Sequence, residues 1–142
     1  MNYKNEPKKE FTSQQSEYIE PLSEEEKEEL ISRWQYRATP EGFDVITDMY
    51  MAPASLYTRE LIHKNGLEND QRVIEADKEI LKLSFKYVPF PLIEADIGYK
   101  PEPHWWWYFL YDIHKGEYPL DLLPDHLKDI YIENLKKLGK LT

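Results

Sequence analysis

The sequence predicts an all-α fold, a compact bundle of about five or six helices with an ordered proline-rich connector and a flexible N-terminal arm. Three observations carry this. Apolar residues recur three and four positions apart in segment after segment. Most of these segments open on a capping residue or proline and close on glycine, asparagine or proline. No two segments read as a convincing strand pair. The length of 142 residues fits one helical domain over 21–142 behind an arm at 1–20.

Residues 1–20 are polar and without periodicity; Phe11, Tyr18 and Ile19 are the sizeable apolar residues after Tyr3. Such a segment buries too little surface to offset its ordering entropy, hence the expected arm. Ser23 followed by Glu26 spells a capping box, and Glu24, Glu25 and Glu26 suit the positive end of a helix dipole. Leu30, Ile31 and Trp34 give that helix its apolar face. Thr39 and Pro40 start the next helix, with Phe43, Ile46 and Tyr50 on one side. Pro53 interrupts it. A helix over 54–64 carries Leu56, Tyr57, Leu61 and Ile62 and stops at Asn65-Gly66. Asn69 or Asp70 caps the longest helix, 70–87, whose face is Val73, Ile74, Ile80, Leu81 and Phe85; Lys78, Lys82 and Lys86 form its solvated stripe.

Prolines 89, 91, 101 and 103 push the chain out of helical geometry over 88–103. The piece is too apolar for a free linker, so it is expected to pack across the helices through Phe90, Leu92, Ile93 and Ile97. Seven apolar or aromatic residues follow, Trp105 to Tyr111. Pro103 ahead of them and Lys115-Gly116 behind predict a helix over 103–115 that serves as the centre on which the others pack. A short turn at 120–123 leads to a last helix opened by Pro124, with Leu127, Ile130, Tyr131, Leu135 and Leu138 on its face, ended by Gly139.

The formal charge is −9. Binding a nucleic-acid backbone requires clustered Lys and Arg, and this balance argues against it. The negative charge is spread along the chain, with 6 acidic against 2 basic residues over 89–123. Cysteine is absent, which excludes disulfides, thiolate metal sites and a cysteine nucleophile. With no long apolar run and no signal-like N-terminus, a cytoplasmic protein is expected.

No catalytic motif is present. His63, His104, His114 and His126 make neither a His-x-x-x-His pair nor a His-Glu-x-x-His motif, so no metal site is expected. Asp44 and Asp48 share a helix face but lack the Glu-x-x-His pairs of carboxylate metal bundles. Five glycines form no phosphate loop. No cofactor is expected, and an enzyme is disfavoured. What remains is the aromatic density. The first expectation is a non-catalytic protein-interaction or regulatory module that binds another protein through an aromatic patch over 104–111, with His104, Trp105, Tyr108 and Tyr111 as its contact residues; most of the segment is expected to be core, with Trp105, Tyr108 or Tyr111 partly exposed. Two alternatives stand beside it. One is an acidic inhibitor that mimics nucleic acid towards a basic target. The other is a small-molecule binder or enzyme with a pocket lined by tryptophan and histidine, His104 and His114 foremost.

Overall fold

The structure, a computed structural model, describes residues 21–141. The arm expected over 1–20 lies outside them. Among the described residues there are seven α-helices, three 3-10 turns and no strand. The helices are α1 (Glu24–Arg37), α2 (Pro40–Phe43), α3 (Ala52–Lys64), α4 (Gln71–Lys86), α5 (Glu94–Ile97), α6 (Leu110–Lys115) and α7 (Asp125–Lys137). The 3-10 turns are Asp44–Thr47, Trp106–Phe109 and Leu120–Leu122. No described helix is long and apolar enough to cross a membrane.

The starts follow the local chemistry. Ser23 and Glu26 exchange both capping-box hydrogen bonds, at 2.8 and 3.1 Å. Thr39 caps α2 through the Gly42 N–H at 3.0 Å. A Cβ on Gly42 would lie 1.8 Å from the Tyr36 carbonyl oxygen, so only glycine allows this corner between α1 and α2. Asp70 caps α4 by accepting from the Arg72 N–H at 2.9 Å. Asn65 closes α3, and Gly66 takes the left-handed φ of 70° that the turn demands.

Two helices differ from expectation. The segment after Pro40 does not run on to Tyr50. It tightens into a 3-10 turn and breaks at Asp48, which is extended. The Asp48 carboxylate takes the N–H groups of Tyr50 and Met51 at 2.7 and 3.0 Å. That local turn competes with helix and leaves Tyr50 84% exposed. Pro53 therefore sits in the first turn of α3, where its missing N–H is harmless, rather than between two helices. The second difference is the aromatic segment. It is not one helix over 103–115: Trp105 is non-helical, 106–109 is a 3-10 turn, and α6 begins only at Leu110.

The packing centre is α4. It lies against α1, α6 and α7 and touches α2, whereas the Trp106–Phe109 turn is packed on α3 and α6. Val73, Ile80 and Leu81 are fully buried on it. The connector is ordered and tied down, with the Phe90 N–H donating to the Ile46 carbonyl at 3.0 Å. Phe90, Leu92 and Ile97 are half-buried as its anchors. Ile93 is not an anchor: it precedes α5, where the Asp96 carboxylate accepts its N–H, and it is 63% exposed.

Candidate functional site

Among the described residues, three acidic or basic side chains are all but sealed from solvent: Arg59 and Glu60 on α3 and Asp77 on α4. Buried charges are rare unless paired. Asp77 is paired to capacity. Its Oδ1 accepts from the Trp34 indole at 2.8 Å and from Arg59 Nε at 2.9 Å. Its Oδ2 accepts from Arg59 Nη2 at 3.0 Å and sits 3.0 Å from His126 Nε2, which must donate to a carboxylate. One carboxylate thus joins all four long helices, α1, α3, α4 and α7. Arg59 Nη1 donates onward to Glu68 Oε1 at 3.2 Å, and the guanidinium lies 4.7 Å from the Trp107 ring and 5.6 Å from that of Trp106. With both Asp77 oxygens doubly occupied, nothing is left for a substrate. The chemistry is that of a structural clasp.

Glu60 faces the other way. Its Oε1 accepts from the phenols of Tyr99 and Tyr108, the latter at 2.8 Å, and Lys64 Nζ lies 3.7 Å from its Oε2. Burial, followed by the adjacent Glu60 charge, pushes the Tyr108 phenol far above the ordinary tyrosine range. Tyr99 is raised by burial and then by its hydrogen bond to Glu60.

The four residues expected to form one contact patch are separated. Trp105 and Tyr108 are buried. The reason is the 3-10 turn. At about three residues per turn, consecutive side chains fan out in three directions, so the run needs no single face and finds cover on several sides. His104 is exposed and Tyr111 half-buried. His104 and Trp105 border a cleft of about 230 Å³ lined also by His63, Glu68, Trp106, Trp107 and the 122–124 turn. Tyr111 lies elsewhere, stacked on His114 and beneath Lys115. His114 is outside the cleft, its Nδ1 donating to the Ser84 carbonyl at 2.8 Å.

A groove of about 780 Å³ lies between the connector and the segment 108–122. Its walls are apolar: Leu92, Ile93, Ile97, Phe109, Tyr118 and Leu122. Three carboxylates, Glu94, Asp112 and Glu117, and one lysine, Lys100, border it. Lys115 reaches Glu117 at 3.2 Å. Tyr118 stiffens one wall by donating to the Pro103 carbonyl at 2.6 Å. Among the described residues no cluster of three or more His, Asp or Glu is placed to hold a metal ion.

No family model, no curated protein and no solved structure matches the chain.

Proposed function

We propose that the protein is a helical interaction module whose docking surface is the groove between the connector and residues 108–122, and that its occupant is an apolar, lysine- or arginine-bearing segment of a partner protein. The observation that carries this is the pairing of an apolar lining with three carboxylates against a single lysine. Apolar walls favour burial of a side-chain anchor, and excess negative charge at an interface selects basic partners. Ile93, a large apolar residue left 63% exposed on the groove, fits such a role. The site thus lies beside the tryptophan run rather than on it. A cytoplasmic setting is part of the reading, supported by the absence of cysteine. Nucleic-acid mimicry is less favoured. Glu24, Glu29, Glu75, Glu79 and Asp125 each pair with a cation three or four residues along the same helix, which breaks up any row of bare charge.

The test is fluorescence anisotropy with labelled peptides that combine leucine or phenylalanine with lysine, against counterparts carrying glutamate. The basic set binds, more weakly as salt rises, and Ile93→Asp and Asp112→Lys each lower affinity at least tenfold. Equal binding of the acidic set, or no loss in both variants, sinks the reading.

A further inference from the structure

The groove asks for an apolar segment that carries lysine, and the chain holds one of its own. The three lysines of residues 1–20 all fall within 4–9, as Lys4, Lys8 and Lys9, with Glu6 the one acid among them. Tyr3 and Phe11 stand at the two ends of that stretch. Residues 12–20 hold Glu17 and Glu20 and no cation, so they match the groove's border in sign and are the poorer occupant. On the groove's side, Ile93 is 63% exposed among the apolar walls. Glu117 takes Lys115 at 3.2 Å, whereas Glu94 and Asp112 are in no ion pair among the described residues.

The chain is long enough to bring the two together. Residues 1–20 join the described part at Pro21, and Leu22 packs on the core just ahead of α1. Glu28 of α1 is held by Arg72, at the start of α4, through bonds of 2.7 and 2.9 Å. The turn before Gln71 leads back to the end of α3, whose Glu60 takes the phenol of Tyr108, a wall of the groove, at 2.8 Å. The root of the segment and the groove are thus joined through the C-terminal end of α3. Phe11 stands ten residues before Pro21, and ten extended residues span up to about 33–36 Å. A domain the size of 21–141 has a radius of gyration of about 14 Å, and the span exceeds twice that radius.

We propose that residues 3–11 of the same chain occupy this groove, Phe11 among its apolar walls and Lys8 and Lys9 towards Glu94 and Asp112, so that a partner binds only by displacing them. The inference rests on the reading of the groove as a docking surface for basic segments. In an extended chain, residues two apart project to one side, which lets Lys9 and Phe11 enter together. A tethered segment meets its site at an effective concentration on the order of millimolar, so a weak intrinsic affinity is enough to hold the groove partly closed.

The chain has no cysteine, so Ser13→Cys carries a single nitroxide beside the segment. In the ¹⁵N-labelled full chain at low salt, and beyond the start of α1, paramagnetic broadening is strongest at 92–97, Asp112 and Glu117. It fades there at high salt and when Phe11→Ala is added. Broadening that is uniform, or centred elsewhere, overturns the proposal. Equal broadening of an unlabelled-cysteine ¹⁵N chain mixed with a spin-labelled ¹⁴N chain assigns the segment to a second copy and overturns self-occupancy. A second measurement uses the labelled basic peptide of the groove test. Phe11→Ala, which leaves the charge alone, and Lys8→Gln with Lys9→Gln each bind that peptide roughly threefold more tightly than wild type. Threefold is the release given by a segment whose own Kd is about half its effective concentration. Equal affinity in wild type and both variants overturns self-occupancy and leaves the groove reading standing. No peptide binding even by these variants sinks the groove reading, and the broadening pattern alone then decides where the segment lies. The changes at Lys8, Lys9, Phe11 and Ser13 all fall outside residues 21–141, so the packing of the described helices is not at stake.

Discussion

On one side of the aromatic turn, Trp106 and Trp107 cover a guanidinium whose partner carboxylate is filled by four donors from three side chains, Trp34, Arg59 and His126. On the other side, Tyr108 and Phe109 wall an open apolar groove bordered by carboxylates, of which, among the described residues, Glu117 alone is paired with a cation, Lys115. The first region spends charge on joining helices and leaves nothing to offer. The second leaves apolar surface and negative charge unmatched. Among the described residues, the most chemically loaded cluster is therefore the structural one, and the plainer groove is the better candidate for recognition.

The largest effect should separate these regions. Asp77→Ala strands the Arg59 guanidinium in the core, and breaking a buried pair from one side costs about 3–5 kcal/mol. Ile93→Asp, at an exposed position on the groove, should stay within about 0.5 kcal/mol of wild type. Urea denaturation of the two variants measures the contrast. Replacing Arg59 and Asp77 together by Met and Leu should recover much of the loss, because the desolvation of two ions is then removed along with their attraction. A cost below about 1 kcal/mol for Asp77→Ala would erase the distinction between a clasp and a surface pair.

That contrast also marks what was legible in the chain. Longest of the helices, α4 was readable because its cap, Asp70, and its stripe of Val73, Ile80 and Leu81 are local signals. Asp77 lies within that same stripe, four residues after Val73 and four before Leu81. Arg59 likewise lies three residues after Leu56 and three before Ile62, in the apolar face of α3. A charge inside an apolar stripe is the mark of a buried ion, and it was visible. Its partners were not, since Arg59 is 18 residues and His126 is 49 residues from Asp77 and only tertiary packing brings them together. The tryptophan run misled for a related reason. Pro103 and Gly116 are sound helix boundaries, but four consecutive aromatic residues cannot all be covered from one face of an α-helix. The chain instead tightens at 106–109 and buries Trp105 to Tyr108 among several elements. The groove was half legible: Leu92 and Ile97 pack against the core as the anchors they were read to be and also wall the groove, whereas Ile93, read as a third anchor, is left exposed on it.

An intermediate effect is expected in alkali. Burial raises the phenols of Tyr99, Tyr108 and Tyr118 far above their ordinary value of 10 and pushes Tyr131 up to about 12. A group whose pKa is higher in the folded state lends stability that is complete below its unfolded value. That stability is lost as pH rises through the folded value. The urea midpoint should therefore hold to about pH 10 and fall from there towards pH 12. Phenolate absorbance of these four should appear together with unfolding rather than before it. Gradual ionisation in a chain that remains folded would show that the Glu60–Tyr99–Tyr108 corner admits water and belongs with the open groove rather than with the sealed interior.

The smallest effect lies at the surface and tests whether sealing, rather than pairing, is what makes the Asp77 centre costly to break. Arg72 holds Glu28 with two hydrogen bonds of 2.7 and 2.9 Å and also bonds Asp70, the cap of α4. Those bonds are the main reason both carboxyls are held below their ordinary values of 4.5 and 3.8. A depressed carboxyl contributes stability that is present above its unfolded pKa and lost as pH falls through its folded pKa. The stability gap between wild type and Arg72→Met should therefore be constant above about pH 5, close as pH falls below about 4, and shrink at every pH as salt is raised. All three groups face solvent, so the gap should stay far below that of Asp77→Ala despite equally good hydrogen-bond geometry. A gap that persists unchanged in acid and in high salt would mean that Arg72 acts through the packing of its stem between α1 and α4. Charge pairing at the surface would then contribute nothing, and the whole electrostatic share of stability would rest on the buried pair.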